Sequence, residues 1–415
     1  MTLPESLPAA AAVRSRGTFA PPRPELIETI ARCYVAVAAV VYLLDLLRQT
    51  RERLTDGAVR PFGDDFINFW SGPYLAWHHR AAEIYNFEAF HVFEQSVVGP
   101  HLQGYNYSYP PMLLVVTAPL ALVPYLPGLV LWLVGGWYAF YRALRLAMPQ
   151  GRVLLLALAT PAVFVNAVGG QIGAWTAALF GFGLGLLDRM PVVAGGCLGL
   201  LIYKPQLGLL IPVALIAGRR WRALAAAAAV SATLIIVAAL WFGPDIFADY
   251  MLRLALLRHF ALEDGSGVWH RSLSVFVAAR RLGADVPVAY AVQAVFAVMA
   301  ALAVAAVWWR DASFGVRNAT LVLGTCLATP YLQDYDLVFG ALVVAWLMQD
   351  DVVRRVAHWP LFLANAALLL VPLFGASLAN LTGLEFGPLF IAPLFVIAVR
   401  CGLAARPAAA LAAAE

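Results

Sequence analysis

Apolar residues run along this chain in long, nearly unbroken stretches, and the polar residues gather between them. About 20 successive apolar residues suffice to cross a bilayer as a helix, which satisfies its own backbone hydrogen bonds there. The strands of a membrane barrel would alternate polar and apolar positions instead. The pattern predicts helical spans at 26–47, 111–141, 152–168, 171–187, 190–203, 206–217, 221–242, 286–309, 317–330, 336–349, 358–375 and 386–401. That is about 12 spans in an all-α polytopic membrane protein. Segment 111–141 holds Pro119, Pro124 and Pro127, so it is expected as one kinked span or as a span with a re-entrant turn. Two polar stretches, 48–110 and 243–285, are expected as large loops. The apolar run 190–217 is broken at Lys204-Pro205-Gln206. Each half then falls short of the roughly 30 Å hydrocarbon core at about 1.5 Å per residue. Two short helices or a re-entrant hairpin should meet there, and broken helices are where membrane proteins place binding sites.

A single transmembrane domain is expected over 26–401, with a disordered cytoplasmic segment at 1–25 and a cytoplasmic tail at 402–415. The first span is too long and too deep in the chain for a cleaved signal. Arg14, Arg16, Arg23 and Arg32 precede or open it, which places the N-terminus inside by the positive-inside rule. The pairs and triplets Arg142/Arg145/Arg152, Arg219/Arg220/Arg222, Arg310/Arg317 and Arg354/Arg355 then also fall inside, and both long loops fall outside. Arg48, Arg51, Arg53 and Arg60 run against that scheme, but long loops translocate largely regardless of charge. No internal repeat stands out.

Composition sharpens the class. The chain has 415 residues, 62% of them hydrophobic and only 13% charged, against about 25% charged in a soluble domain. A soluble enzyme, a disordered chain and a collagen-like fibre are excluded. A net charge of +4 is too small to suggest nucleic acid as a partner. Cys33, Cys197, Cys326 and Cys401 lie in apolar segments without CxxC spacing, which reads as core residues rather than a disulfide framework or metal site. Lys204 is the sole lysine.

Six polar constellations remain. Gly63-Asp64-Asp65-Phe66-Ile67-Asn68-Phe69-Trp70 sets two carboxylates beside an aromatic run, as a general base, a metal ligand or a helix cap. Tyr105-Asn106-Tyr107-Ser108-Tyr109-Pro110-Pro111 is an interfacial aromatic belt or the hydroxyl-rich wall of a headgroup site. Gly169-Gly170-Gln171 is a tight turn bearing an amide. Lys204-Pro205-Gln206 places a cation deep in apolar sequence, which costs several kcal/mol unless paired and marks function by default; snorkelling to the interface is the plainer alternative. A compact ammonium suits a phosphate. Trp269-His270-Arg271-Ser272 lies in the second long loop, and Thr329-Pro330-Tyr331-Leu332-Gln333-Asp334-Tyr335-Asp336 lies at the end of a span. The remaining histidines show no metal-site spacing, and no P-loop, GxSxG or HExxH motif is present. In the expected topology all six constellations share the outer face.

In chain order these motifs are Asp65-Phe66-x-x-Phe69-Trp70, Ile84-Tyr85, Tyr109-Pro110-Pro111, Pro119-Leu120, Gly170-Gln171, Lys204-Pro205-Gln206 and Thr329-Pro330-Tyr331-x-x-Asp334-Tyr335-Asp336. The chain thereby resembles glycosyltransferase family 87, also called DUF2029, within the GT-C superfamily of polytopic transferases. The resemblance covers roughly residues 30–400. It implies a GT-C-type helical bundle with two large extracytoplasmic loops, in the bacterial inner membrane, with the active site on the extracytoplasmic face. It implies a polyprenyl-phosphate-linked sugar donor as co-substrate, mannose by family default, and inverting transfer to a lipid or glycan hydroxyl.

In that chemistry Asp65, or its neighbour Asp64, takes the acceptor's proton. The leaving phosphate calls on Lys204, with Gln206, Gln171, His270 and Arg271 as helpers. Tyr109, Asp334, Tyr335 and Asp336 complete the candidate binding set. No cofactor or metal is required, although the Asp64–Asp65 pair leaves room for a divalent ion. Mycobacterial members carry a Trp-x-His pattern after the late Ser-Pro, where Gln333-Asp334-Tyr335 stands here. The competing class is a lipid or sugar transporter, for which repeat symmetry and midplane polar residues are the expected marks; an assembly factor without activity is a third reading.

Overall fold

The computed structural model describes residues 23–55, 57–149, 151–265, 268–353 and 358–404. Most of the segment expected to be disordered (1–25), most of the expected tail (402–415), and Arg354 and Arg355 lie outside the described residues. All regular structure among the described residues is helical, apart from one isolated bridge between Ser272 and Gln333.

The chain begins with α1 (Pro24–Leu54), then α2 (Phe66–Trp77) and α3 (Phe87–Val98). α4 (Pro111–Thr117) passes through a 3₁₀ turn, Ala118–Leu122, before α5 (Tyr125–Ala147). Next come α6 (Val153–Ala159), α7 (Pro161–Val168), α8 (Gly173–Gly185), α9 (Pro191–Leu200), α10 (Pro205–Gly208) and α11 (Ile211–Ala217). α12 (Trp221–Phe242), α13 (Asp245–Leu257), α14 (Val275–Arg281) and α15 (Val286–Trp309) follow. The last are α16 (Phe314–Ala328), a 3₁₀ turn Asp334–Phe339, α17 (Gly340–Gln349), α18 (His358–Thr382) and α19 (Gly387–Ala404).

Among the described residues five helices are long and apolar enough to cross a membrane: α1, α12, α15, α18 and α19. The other expected spans are shorter or broken, and proline explains most of the breaks. The expected span 111–141 is two helices, because Pro119 and Pro124 interrupt the backbone ladder between them. The expected span 152–168 divides at Thr160-Pro161, where Thr160 is extended as a residue before proline prefers. Lys204 before Pro205 likewise leaves the helical region and separates α9 from α10.

The two expected loops are also more structured than their polarity suggests. The first contains α2, almost wholly buried, and α3; the second contains α13 and α14. Side-chain caps start some of these helices. Asn86 Oδ1 accepts from the Ala89 amide at 3.1 Å, and Ser274 Oγ from the Val277 amide at 3.2 Å.

α16 is the central column. Every residue from Gly315 to Ala328 is buried, with α15, α17 and α19 packed around it. α1 is its opposite, an apolar helix with only Gln49 buried, which suits a helix facing lipid. Polar groups collect at both ends of the bundle. At the end where α15 finishes, buried Arg317 pairs with Asp188 and, at 3.2 Å, with Asp311; Arg220 reaches the same two carboxylates at 3.2 and 3.1 Å. The other end, where α15 starts, carries the six constellations.

Candidate active site

Asp65 sits at the start of α2, on a turn through Gly63 and Asp64 that uses the left-handed region (φ +75° and +47°). Asp is among the non-glycine residues that tolerate this region. The turn packs directly on Gly169-Gly170-Gln171. The Asp65 amide donates to the Gly169 carbonyl at 3.2 Å, and Gln171 Nε2 donates to Asp65 Oδ2. Gly170 makes the approach possible: its φ is +58°, and a Cβ there would lie 1.8 Å from the Gly63 oxygen. Three residues on, a Cβ at Gly173 would lie 2.2 Å from the Tyr335 oxygen. The Gly-Gly-Gln turn therefore joins the first constellation to the last.

Two ion pairs fix the opposite wall. Buried Lys204 binds Asp336, whose other carboxylate oxygen accepts from the Gln333 amide at 3.1 Å in a capping arrangement. Arg271 grips Asp334 with two bonds, Nε to Oδ2 at 3.1 Å and an η-nitrogen to Oδ1 at 3.0 Å. The Tyr335 ring stands between the cations, 4.7 Å from the Lys204 ammonium and 5.8 Å from the Arg271 guanidinium. Tyr335 also hydrogen-bonds to Tyr109, and the Tyr109 carbonyl accepts from the Tyr85 hydroxyl at 2.7 Å. A short extended pairing ties the two loops together: the Leu273 amide donates to the Leu332 carbonyl at 2.8 Å, beside the Ser272–Gln333 bridge.

Five of the six constellations thus form one cluster through these bonds, and Arg271 of the remaining one joins it through Asp334. Asp65 lies within the electrostatic reach of Arg271 and Tyr335. Burial pushes the Asp65 carboxyl up to about 7, and the charge of Asp64 adds to this; Arg271 and the Gln171 hydrogen bond pull the other way. A carboxyl poised near neutrality is suited to accept a proton there. Asp64 has a different environment, since the Tyr105 hydroxyl donates to it at 2.5 Å.

Two expected residues stand apart. Gln206 is half-buried after Pro205 and makes none of the cluster's hydrogen bonds. His270 lines an open cavity with Trp269, Arg280 and Arg281. Two residues escaped the sequence reading. Tyr105 was noticed only as one of three tyrosines. Glu94 lay in what read as a loop, yet on α3 it follows Phe90 by four residues and is fully buried. That placement was its signal, a lone acid on an apolar helical face. Burial raises the Glu94 carboxyl to about 8, with the Tyr105 amide opposing and the Asp65 charge adding. Among the described residues no group of three or more His, Cys, Asp or Glu side chains is arranged to hold a metal ion.

The fold and the cluster define a multi-pass all-α membrane protein whose acid, amide and cation groups meet at the ends of its helices. The model of glycosyltransferase family 87 matches residues 107–330, just over half of the chain. The chain belongs to that family and is a membrane glycosyltransferase. The matched region includes Tyr109, Gln171, Lys204 and Arg271; Asp65 and the Asp334–Asp336 turn lie outside it and join it only in space. No curated protein and no solved structure matches the chain.

Proposed function

We propose that the enzyme moves a hexose, mannose by the family's default, from a polyprenyl-phosphate-linked donor to a hydroxyl of a lipid or glycan acceptor. The reaction takes place on the extracytoplasmic side of a bacterial inner membrane. The acceptor oxygen attacks the anomeric carbon from the face opposite the phosphate, so the configuration inverts. The bond from that carbon to the phosphate oxygen breaks, and the acceptor's proton passes to Asp65. The polyprenyl phosphate leaves with the electron pair.

One observation carries this reading: Gln171 holds Asp65, a carboxyl tuned to about 7, in a cluster that also contains two cations. The amide fixes the direction of the carboxylate, which matters because proton transfer needs hydrogen-bond distance. Lys204 and Arg271 stand on either side of Tyr335, and each enters the site already paired with an aspartate. The departing phosphate shares these cations with Asp336 and Asp334. Asp64, which accepts from the Tyr105 hydroxyl, lies beside Asp65, and its proximity raises the Asp65 carboxyl. The proposal assigns no resident metal or cofactor.

The test is sugar transfer by the purified full-length protein in nanodiscs. The donor is radiolabelled polyprenyl-phosphate-mannose, then other polyprenyl-phosphate hexoses, with a membrane lipid extract as acceptor. Wild-type protein should form labelled product, and Asp65→Asn should lose it by about 10²–10⁴-fold. Transfer that survives in Asp65→Asn removes Asp65 as the base. No transfer from any of these donors by folded wild-type protein overturns the donor class.

A further inference from the structure

Beside the cluster, on the other side of the turn Trp269–Arg271, lies an open cavity of about 430 Å³. It is lined by Trp269, His270, Arg280, Arg281, Asn380 and two glycines, Gly265 and Gly383. The two arginines end α14 and are half-buried. Backbone carbonyls hold their guanidinium groups: Arg280 donates to Ala284 at 2.7 Å and to Glu263 at 3.0 Å, and Arg281 donates to Ala379 at 3.0 Å.

Carbonyls orient a guanidinium without neutralising it. Among the described residues no carboxylate forms an ion pair with either arginine. Glu263 turns its carboxylate to Arg258 and His259, and Glu385, whose field reaches Arg281, accepts from the Gly387 amide at 3.0 Å. The two side chains are half-buried and line the cavity, so their positive charge faces its space. This contrasts with the neighbouring Arg271, which has its aspartate.

Exposed apolar residues flank the lining residues in sequence. Leu282, Leu381 and Leu384 each follow a lining residue in sequence and are exposed, Leu381 at 84% and Leu282 at 75%. A cationic cavity flanked by exposed leucines, at the end of the membrane-length helix α18, matches a group that joins a phosphate to acyl chains.

We propose that this cavity binds the phosphate of an anionic lipid headgroup, with Arg280 and Arg281 as its cationic partners and the flanking leucines against the acyl chains. The site is separate from the Asp65 cluster, and the proposal stands independently of the donor and acceptor assigned above.

The experiment uses full-length protein purified in detergent. Retention of phosphatidylglycerol is read by native mass spectrometry, beside phosphatidylcholine and inorganic phosphate as separate probes. Wild type should retain phosphatidylglycerol over phosphatidylcholine. Arg280→Gln/Arg281→Gln should weaken that retention by about tenfold or more, equivalent to about 1.4 kcal/mol. Because Arg280 also ties down loop carbonyls, Arg281→Gln alone and the charge-preserving Arg281→Lys are run beside it, with thermal unfolding to confirm folding. Arg281→Lys should bind better than Arg281→Gln, and Asp65→Asn should bind as wild type. Equal retention by folded wild type and both glutamine variants overturns the proposal. Inorganic phosphate that displaces the lipid completely at millimolar concentration overturns the lipid assignment in favour of a free anion.

Discussion

Asp65 and Glu94 are both buried acids near one another, and they differ in what surrounds them. Asp65 has an amide donor, a guanidinium within reach and some exposure to an incoming acceptor. Glu94 is enclosed, with its oxygens lacking full hydrogen-bond partners. A base must be unprotonated to act, so transfer should rise with pH through about 7, the value to which Asp65 is pushed. A pH–rate profile of wild-type enzyme checks this; a flat profile across that range rejects Asp65 as the titrating base. Glu94 bears on stability. Its folded value, about 8, lies above the ordinary carboxyl value of about 4.3, so the folded state holds the proton more tightly. That contribution is complete below about 4 and fades as pH rises through about 8. Glu94→Gln should therefore unfold a few degrees above wild type at alkaline pH, with little difference in acid, as measured by thermal unfolding.

The element that matters most to the site is the Gly-Gly-Gln turn between α7 and α8. Gly170→Ala places a Cβ against the Gly63 oxygen in a left-handed conformation, a cost on the order of 3 kcal/mol. It should lower both stability and transfer, while Gly208→Ala, whose Cβ would meet only Ile211 Cδ1 at an ordinary 3.9 Å, should change neither. Comparable unfolding temperatures for the two variants would mean the turns do not approach as described. The Lys204–Asp336 pair links α10 to the 3₁₀ turn before α17. Removing only the lysine strands a buried carboxylate, at a cost of about 3–5 kcal/mol. Lys204→Met combined with Asp336→Leu should recover most of that stability and none of the transfer, which separates the pair's structural role from its role toward phosphate.

At the scale of the molecule, charge and chemistry divide along α15. The Asp188/Arg220/Asp311/Arg317 network and its neighbours Arg189, Arg219 and Arg310 lie where α15 ends, and the Asp65 cluster lies where it begins. A helix of 24 residues spans about 36 Å, enough to cross the hydrocarbon core. On the proposed reading the arginine-rich end is cytoplasmic, as the positive-inside rule expects, and the cluster faces outside. In a cysteine-free background, a membrane-impermeant maleimide added to intact cells should label exposed Ser108→Cys beside Tyr109 and leave Arg189→Cys unlabelled. The reverse pattern would place the site in the cytoplasm.

The sequence by itself determined the class of the molecule and named the candidate residues of its site. Long apolar runs admit few structures other than lipid-embedded helices, and a lone lysine or a paired aspartate in such runs is costly enough to need a reason. Lys204 stood out in this way, while Asp65, Gln171, Arg271, Asp334 and Asp336 stood out only as polar residues between the apolar runs. What the sequence left open was which of them meet, because hydrogen bonds across 106 residues (Asp65 to Gln171) and 132 residues (Lys204 to Asp336) leave no local pattern. The packing of the helices brought Lys204 to an aspartate rather than to open space, and set His270 in the lining of an open cavity. Helix lengths were also decided in three dimensions. Prolines shortened the expected spans, while α2 and α3 formed inside a polar segment because the folded core could bury Phe66, Phe69 and Phe90.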